Sequence, residues 1–250
     1  MNTQVTLTLF QLISIILFSG FLFYVYRLLA PELFYKIHKP FFWTNRTKQE
    51  QVSQNLKKLE KSTRDKVRFY TFHLQIERLK KSGVSGAFAE LGVYKGKTAK
   101  IIHLMDTTRD FHLFDTFDGF DEQDLQSEKS IDRKYSTSNF ADTDLESVKA
   151  YIAGNENVHY HPGFFPDTVE NLDDNFAFVH LDADLYQPTI VALNYFYPKL
   201  SPGGVIIIHD YNHTWYGVSK AVDEFSKTIP EVVIEIADWQ GSAMIIKNLT

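Results

Sequence analysis

The sequence predicts an α/β fold, a doubly wound and mostly parallel seven-stranded sheet with helices on both faces. A C-terminal antiparallel hairpin completes that sheet, and one N-terminal transmembrane helix precedes it. Three observations predict this architecture. A charge-free apolar run opens the chain, short apolar runs then alternate with helix-periodic segments, and two strand-like runs joined by a tight turn close it.

From Val5 to Tyr26 the run VTLTLFQLISIILFSGFLFYVY contains no charged residue. At ~1.5 Å per residue a helix of that length reaches about 33 Å, sufficient for a hydrocarbon core. No Lys or Arg precedes the run and no small-x-small site follows it closely, which argues against a cleaved signal peptide. Arg27, Lys36, Lys39, Arg46 and Lys48 all follow the run, so the positive-inside bias places the remainder in the cytoplasm. Phe41, Phe42 and Trp43 suit the headgroup region, or equally a packing role on the domain. Residues 1–30 are expected as the anchor, 31–62 as a juxtamembrane linker, and 63–250 as the folded domain.

Within that domain, Phe69, Phe72, Ile76 and Leu79 fall at helical spacing between Thr63 and Lys81. From Gly86 the alternation begins. AFAELGV, FHLFD, NVHYHPG, FAFVHLDA and GGVIIIHD read as strands one to five. TAKIIHLM, DLESVKAYIAG, DTVENL and QPTIVALNYFYPKL read as the helices between them, and VSKAVDEFSKTI as the helix after the fifth. Pro188 falls in the first turn of its helix, where proline is tolerated. EVVIEIA, DWQG and SAMIIKN then read as strand, turn and strand. Such alternation gives a parallel sheet covered on both faces, with ligands expected at the carboxyl ends of its strands. The polar stretch Gly119–Thr143 is long for a connection and is expected to be a lid.

Composition removes some functions. A net charge of −5 at 250 residues gives no basic footprint for a general nucleic-acid binder. The absence of cysteine excludes disulfides and thiolate metal sites.

Four acids fall at predicted strand ends: Glu90, Asp115, Asp182 and Asp210. The stretch ELGVYKGKTA places Gly92, Tyr94 and Gly96 between the first strand and its helix. Glycine there admits close approach of a ligand, and a helix N-terminus adds amide donors. The spacing is neither a Walker loop nor the dinucleotide fingerprint. Asp115, 23 residues after Gly92, suits the hydroxyls of a cofactor ribose, although turn aspartates are common. In HLDADLYQPT, Asp182 and Asp184 are two residues apart; an isolated pair of this kind is more often solvated or helix-capping. Asp210, at the end of the neighbouring strand, should approach Asp182. Converging carboxylates require a proton or a shared cation, and oxygen ligands favour a hard ion such as Mg²⁺.

ELGVYKG, FDTFDGF, GFFPDTV, HLDADLYQPT, PGGVIIIHDYN and GVSKAVDEF resemble, in order, the blocks of the TylF-type macrocin O-methyltransferases. The resemblance runs from about Thr63 to the C-terminus. It implies a class I, Rossmann-like methyltransferase fold and S-adenosylmethionine as cofactor. It also implies metal-assisted methylation of a hydroxyl, on a sugar in characterised relatives. By that likeness Glu90, Gly92, Tyr94, Gly96 and Asp115 bind the cofactor, while Asp182 and Asp210 hold Mg²⁺ or Mn²⁺. Asp184 is implied as base or further ligand, with Asp182 sharing the catalytic role. The family usually reads Asp-Asp-Tyr where this chain has His209-Asp210-Tyr211, which makes His209 a candidate nitrogen ligand.

The sequence therefore reads as a membrane-anchored O-methyltransferase acting on a small-molecule hydroxyl, with no nucleic-acid partner and with a homodimer compatible. Trp215 and Tyr216 are candidates to stack on a sugar face. A nicotinamide-dependent oxidoreductase and a tethered domain that binds without catalysis are the rivals.

Overall fold

The computed structural model describes residues 3–34, 38–128, 135–170, 172–214 and 216–249. It contains two compact units, Met1–Lys39 and Pro40–Thr250. The first holds helix α1 (Thr3–Phe34), in which Thr8–Arg27 is long and apolar enough to cross a membrane and has no share buried in protein.

In the second unit, residues 41–62, within the stretch expected as a juxtamembrane linker, form α2 (Phe41–Lys48) and α3 (Gln54–Ser62), which meet α4 (Lys66–Lys81) through Trp43 and Glu60. Trp43 is 2% exposed, with its ring 5.1 Å from those of Phe69 and His73. Leu56 is buried, and the Tyr70 hydroxyl donates to Glu60 Oε1 at 2.8 Å. Composition hid this because one tryptophan and two or three apolar positions carry the packing. Ser53 and Asp65 cap α3 and α4 by accepting from the amides of Leu56 and Arg68.

The sheet follows: β1 (Ala87–Leu91), β2 (Phe111–Asp115), β3 (Val158–Pro162), β4 (Phe176–Leu181), β5 (Leu200–Ile208), β6 (Ile234–Ile236) and β7 (Ser242–Ile246). Their spatial order is β3-β2-β1-β4-β5-β7-β6, with β7 alone antiparallel to its neighbours. The order steps outward from β1 in one direction and from β4 in the other, so a crevice opens between their carboxyl ends.

The intervening helices are α5 (Lys97–Met105), α6 (Glu122–Ser127), α7 (Leu145–Ile152), α8 (Tyr186–Lys199) and α9 (Tyr216–Ser226). The expected helix DTVENL is reduced to one 3-10 turn, Asp167–Val169. One face of the sheet meets α4 through Phe72, whose ring lies 5.8 Å from Phe178. The other meets α8 through Phe196, 5.0 Å from Phe176. Phe176 and Phe178 would share a face in a regular strand. A register shift between them turns them to opposite cores. Glu90 and His180, paired in register across β1 and β4, thereby come under α4.

Candidate active site

A cavity of about 470 Å³ opens at the carboxyl ends of β1, β2, β4 and β5. Gly92, Tyr94, Asp115, Asp182, Asp184, His209 and Asp210 all line it. A larger depression of about 1180 Å³, at the opposite end of the strands, is lined by none of the predicted site residues.

The cavity's first half is built on β1 and β2. Asp115 Oδ2 accepts from the amides of Val93 (2.7 Å) and Tyr94 (2.8 Å), while Oδ1 accepts from Phe117 N (2.7 Å). Its carboxylate therefore holds two turns in place while facing the cavity. The glycines of the first turn answer to the protein itself. A Cβ on Gly92 (φ 86) would lie 2.0 Å from the carbonyl oxygen of Asp182, and one on Gly96 would meet Ile152 at 2.9 Å. Gly96 lies outside the lining. Tyr94 donates to Asp142 Oδ1 at 2.6 Å and packs against Phe140 from the connection after β2.

Glu90 also lies away from the cavity wall. It is wholly buried beneath it, accepting or sharing a proton with His180 Nδ1 at 2.9 Å. Burial, with the charges of Asp182 and Asp115 added, pushes Glu90 well above the usual carboxylate range. Burial lowers His180 to about 3. Glu90 thus sits under the site with its proton favoured by burial.

The second half is built on β4 and β5. His209 Nδ1 lies 2.7 Å from Asp182 Oδ1 and 3.4 Å from Asp210 Oδ1. Burial pushes His209 down, but the charge and hydrogen bond of Asp182, helped by Asp210, raise it to about 10. In return, the imidazolium holds Asp182 well below the usual range despite the opposing effect of burial. Asp184 goes the other way. Burial and the charges of Asp182 and Asp210 hold it well above that range. Asp184 and Asp210 each have φ 60, a left-handed conformation that costs a non-glycine residue roughly 1–2 kcal/mol. That turn is what aims both carboxyl groups back across the strand ends.

Asp182, His209 and Asp210 each offer a ligand-type atom, all within 4.8 Å of one another. Asp210 Oδ1 and His209 Nε2 are buried and complete no hydrogen bond. Two carboxylate oxygens and one imidazole nitrogen fit a small divalent cation once the His209 proton leaves.

Sequence reasoning missed Arg68, Asp124 and Gln240, which also line the cavity. Arg68 is carried in by the first turns of α4, and Gln240 by the β6–β7 turn. Neither has a motif around it. Asp124, on α6, lies within the acidic stretch expected to be a lid. Burial, then Asp121 and Glu128, raise it to about 7. That stretch also brings Gly119, Phe120, Asp121 and Phe140 to the wall; residues 129–134 lie outside the described residues. Trp215 likewise lies outside them, and Tyr216 is 63% exposed and absent from the cavity.

A sequence profile of the family described as macrocin-O-methyltransferase (TylF) matches residues 35–247. The chain belongs to this family of methyltransferases. Over 177 residues it is 30% identical to the 8-demethyl-8-(2,3-dimethoxy-alpha-L-rhamnosyl)-tetracenomycin-C 4'-O-methyltransferase of Streptomyces olivaceus. That alignment covers 61% of this chain and 67% of the relative. It is also 30% identical over 151 residues to the mycinamicin III 3''-O-methyltransferase of Micromonospora griseorubida, covering 54% of this chain and 59% of the relative. The chain thus spans about three fifths to two thirds of these relatives. The solved O-methyltransferase NovP superposes with a TM-score of 0.61 at 25% identity, over 73% of this chain and 80% of that one. The calicheamicin methyltransferase CalS11 superposes at 0.58 with 19% identity, over 84% and 94%, and shares the fold.

Proposed function

We propose that this chain is an S-adenosylmethionine-dependent O-methyltransferase that acts on a sugar hydroxyl. The observation that carries the proposal is the division of one cavity. A turn pinned by Asp115 forms its cofactor half, and four titratable groups from β4 and β5 form its acceptor half. Family membership and the sugar-modifying relatives support the same reading.

S-adenosylmethionine, when bound, supplies a methyl group on a positively charged sulfonium. Asp115 and the Gly92–Tyr94 turn would orient it, and the acidic lining favours its charge over an anionic ligand. Asp184 is the better base of the two candidates. Once it has lost its own proton, its raised proton affinity makes it the stronger base for removal of a hydroxyl proton as the new C–O bond forms, whereas Asp182 is held too acidic for that work. Asp182 and His209 fix the acceptor end electrostatically. A divalent cation on Asp182, His209 and Asp210 would add Lewis acidity at the acceptor oxygen. The connection between Gly119 and Thr143 would close over the acceptor, with Asp124 and Phe120 facing it.

α1 serves, in this reading, as a membrane anchor with the catalytic unit on the cytoplasmic side, as the basic residues after the span favour. The direct test is calorimetric titration of the protein with S-adenosylmethionine and, separately, with NAD and NADP. Binding of the first alone is expected. Binding of a nicotinamide cofactor alone would replace the methyltransferase reading with that of an oxidoreductase.

A further inference from the structure

We infer that the outer face of α2 and α3 is a membrane-contact surface that seats the folded unit on an anionic lipid leaflet, independently of the pull of α1. Trp43 fixes the geometry. Its ring is buried against Phe69, Tyr70 and His73 of α4, and Arg46 on the same side pairs with Glu77 at 2.5 Å. Phe41 and Phe42 are then turned outward, 77% and 56% exposed. Two adjacent exposed phenylalanines at the head of a helix are unfavourable in water and suit the boundary between headgroups and acyl chains.

Charge identifies the occupant. Between Lys39 and Lys66 the chain carries eight Lys and Arg against three acids, in a protein whose net charge is −5. Lys39, Lys48, Lys58 and Lys61 are exposed there. α2 and α3 meet at one residue of α4, since Tyr70 touches Trp43 through its ring and Glu60 through its hydroxyl. The exposed phenylalanines of α2 and the exposed lysines of α2 and α3 are thus carried by two helices that share one support on α4. Exposed aromatics interleaved with lysines match an anionic bilayer, where each basic group near the surface gains from the lipid charge. Chain continuity agrees: Phe41 follows the end of α1 at Phe34 by seven residues.

Arg68, which lines the cavity, lies two residues before Tyr70 on α4. The same turns of α4 thus carry Arg68 to the cavity and Tyr70 to the buried side of α2 and α3, which suits an acceptor presented at a membrane surface.

The inference rests on α1 being a membrane span, and one assay separates the two. The chain contains no cysteine, so a single Cys introduced in the full-length protein accepts one environment-sensitive fluorophore. Labels at Phe42→Cys, Lys58→Cys and Lys227→Cys would be compared after reconstitution into phosphatidylcholine vesicles with and without phosphatidylglycerol, using nitroxide-bearing lipid as quencher. At 0.1 M salt, the first two labels should be quenched at least threefold more than the third in anionic vesicles. The excess should fall at 0.5 M salt and in neutral vesicles. Phe41→Ser combined with Phe42→Ser should remove most of the quenching at Lys58→Cys while the protein stays in the vesicle. Equal quenching of all three labels, or no dependence on lipid charge, would overturn the contact face and leave α1 as a simple tether. Failure of the chain to enter vesicles at all would overturn the span as well.

Discussion

His209 Nδ1 stands 2.7 Å from Asp182 Oδ1, at the ends of neighbouring strands β5 and β4. The resemblance to the family implies an acid where this chain carries the imidazole. The two carboxylates that frame it are compensated by its charge. A cation held by His209 would have to displace its proton, so proton and metal would compete there.

The first prediction concerns that competition. His209→Asp should bring three carboxylates together and lower the melting temperature of the metal-free protein. Mg²⁺ or Mn²⁺ should then raise it by more degrees than in the wild type. Thermal melts with EDTA and with each ion read both effects, and equal shifts in the two proteins would remove His209 from the ion's surroundings. In activity assays the wild type should be restored by Mn²⁺ at least as well as by Mg²⁺, because Mn²⁺ accepts nitrogen more readily.

The same pair predicts a pH dependence of stability. His209 is raised from an ordinary 6.5 to about 10, so its contribution is complete below ~6.5 and lost as pH climbs through about 10. Asp182 is depressed, so its share is present above ~4 and lost only in stronger acid. His209→Gln should cost roughly 3 kcal/mol at pH 7, as expected when one partner of a buried pair is removed. The gap between the two proteins in urea denaturation should narrow between pH 8 and pH 10.5. A gap that stays constant over that interval would show that His209 is already neutral in the folded protein.

Asp115→Ala removes the acceptor for three backbone amides; such charge-assisted bonds contribute roughly 1.5–3 kcal/mol where nothing replaces them, and at this half-buried site water takes over part of the loss. The expected result is a folded but less stable protein, by about 2–4 kcal/mol, with S-adenosylmethionine affinity reduced at least tenfold. Titration calorimetry on the folded fraction separates the two losses. Unchanged affinity would confine Asp115 to its structural bonds.

Gly92→Ala tests a different cause. The added carbon would lie 2.0 Å from the carbonyl oxygen of Asp182, at a φ of 86. Both strands would have to part, so soluble expression should collapse or stability fall by more than ~3 kcal/mol. Gly96→Ala meets only side-chain atoms of Ile152 and Val148 and should be milder.

The strands and the acids at their ends were legible because burial on both faces leaves continuous apolar runs ending in a charge. AFAEL and FAFVHL are such runs, and both are fully buried. The packing of residues 41–62 was legible only in part: a packing role for Trp43 was one of two readings, and the tertiary contacts that decide it follow no local period. Gly92 was singled out for close approach to a ligand, whereas its close neighbour in the structure is the backbone of Asp182, just past β4, a contact across the sheet. Glu90 shows the same limit. Its place at a strand end was readable, but which face it presents depends on register, and that turns it under the cavity. Arg68 and Gln240 reach the site from elements distant in sequence.

The central claim is that a methyl group reaches a hydroxyl oxygen in this cavity, and transfer of labelled methyl tests it most directly. Membrane and polar extracts would be incubated with methyl-labelled S-adenosylmethionine and the protein, and the products separated and treated with mild alkali. The account predicts alkali-stable label, as an ether, in a sugar-containing fraction, with at least a hundredfold less label for Asp184→Asn. Label that alkali releases, or cofactor binding without label in any fraction, would contradict it.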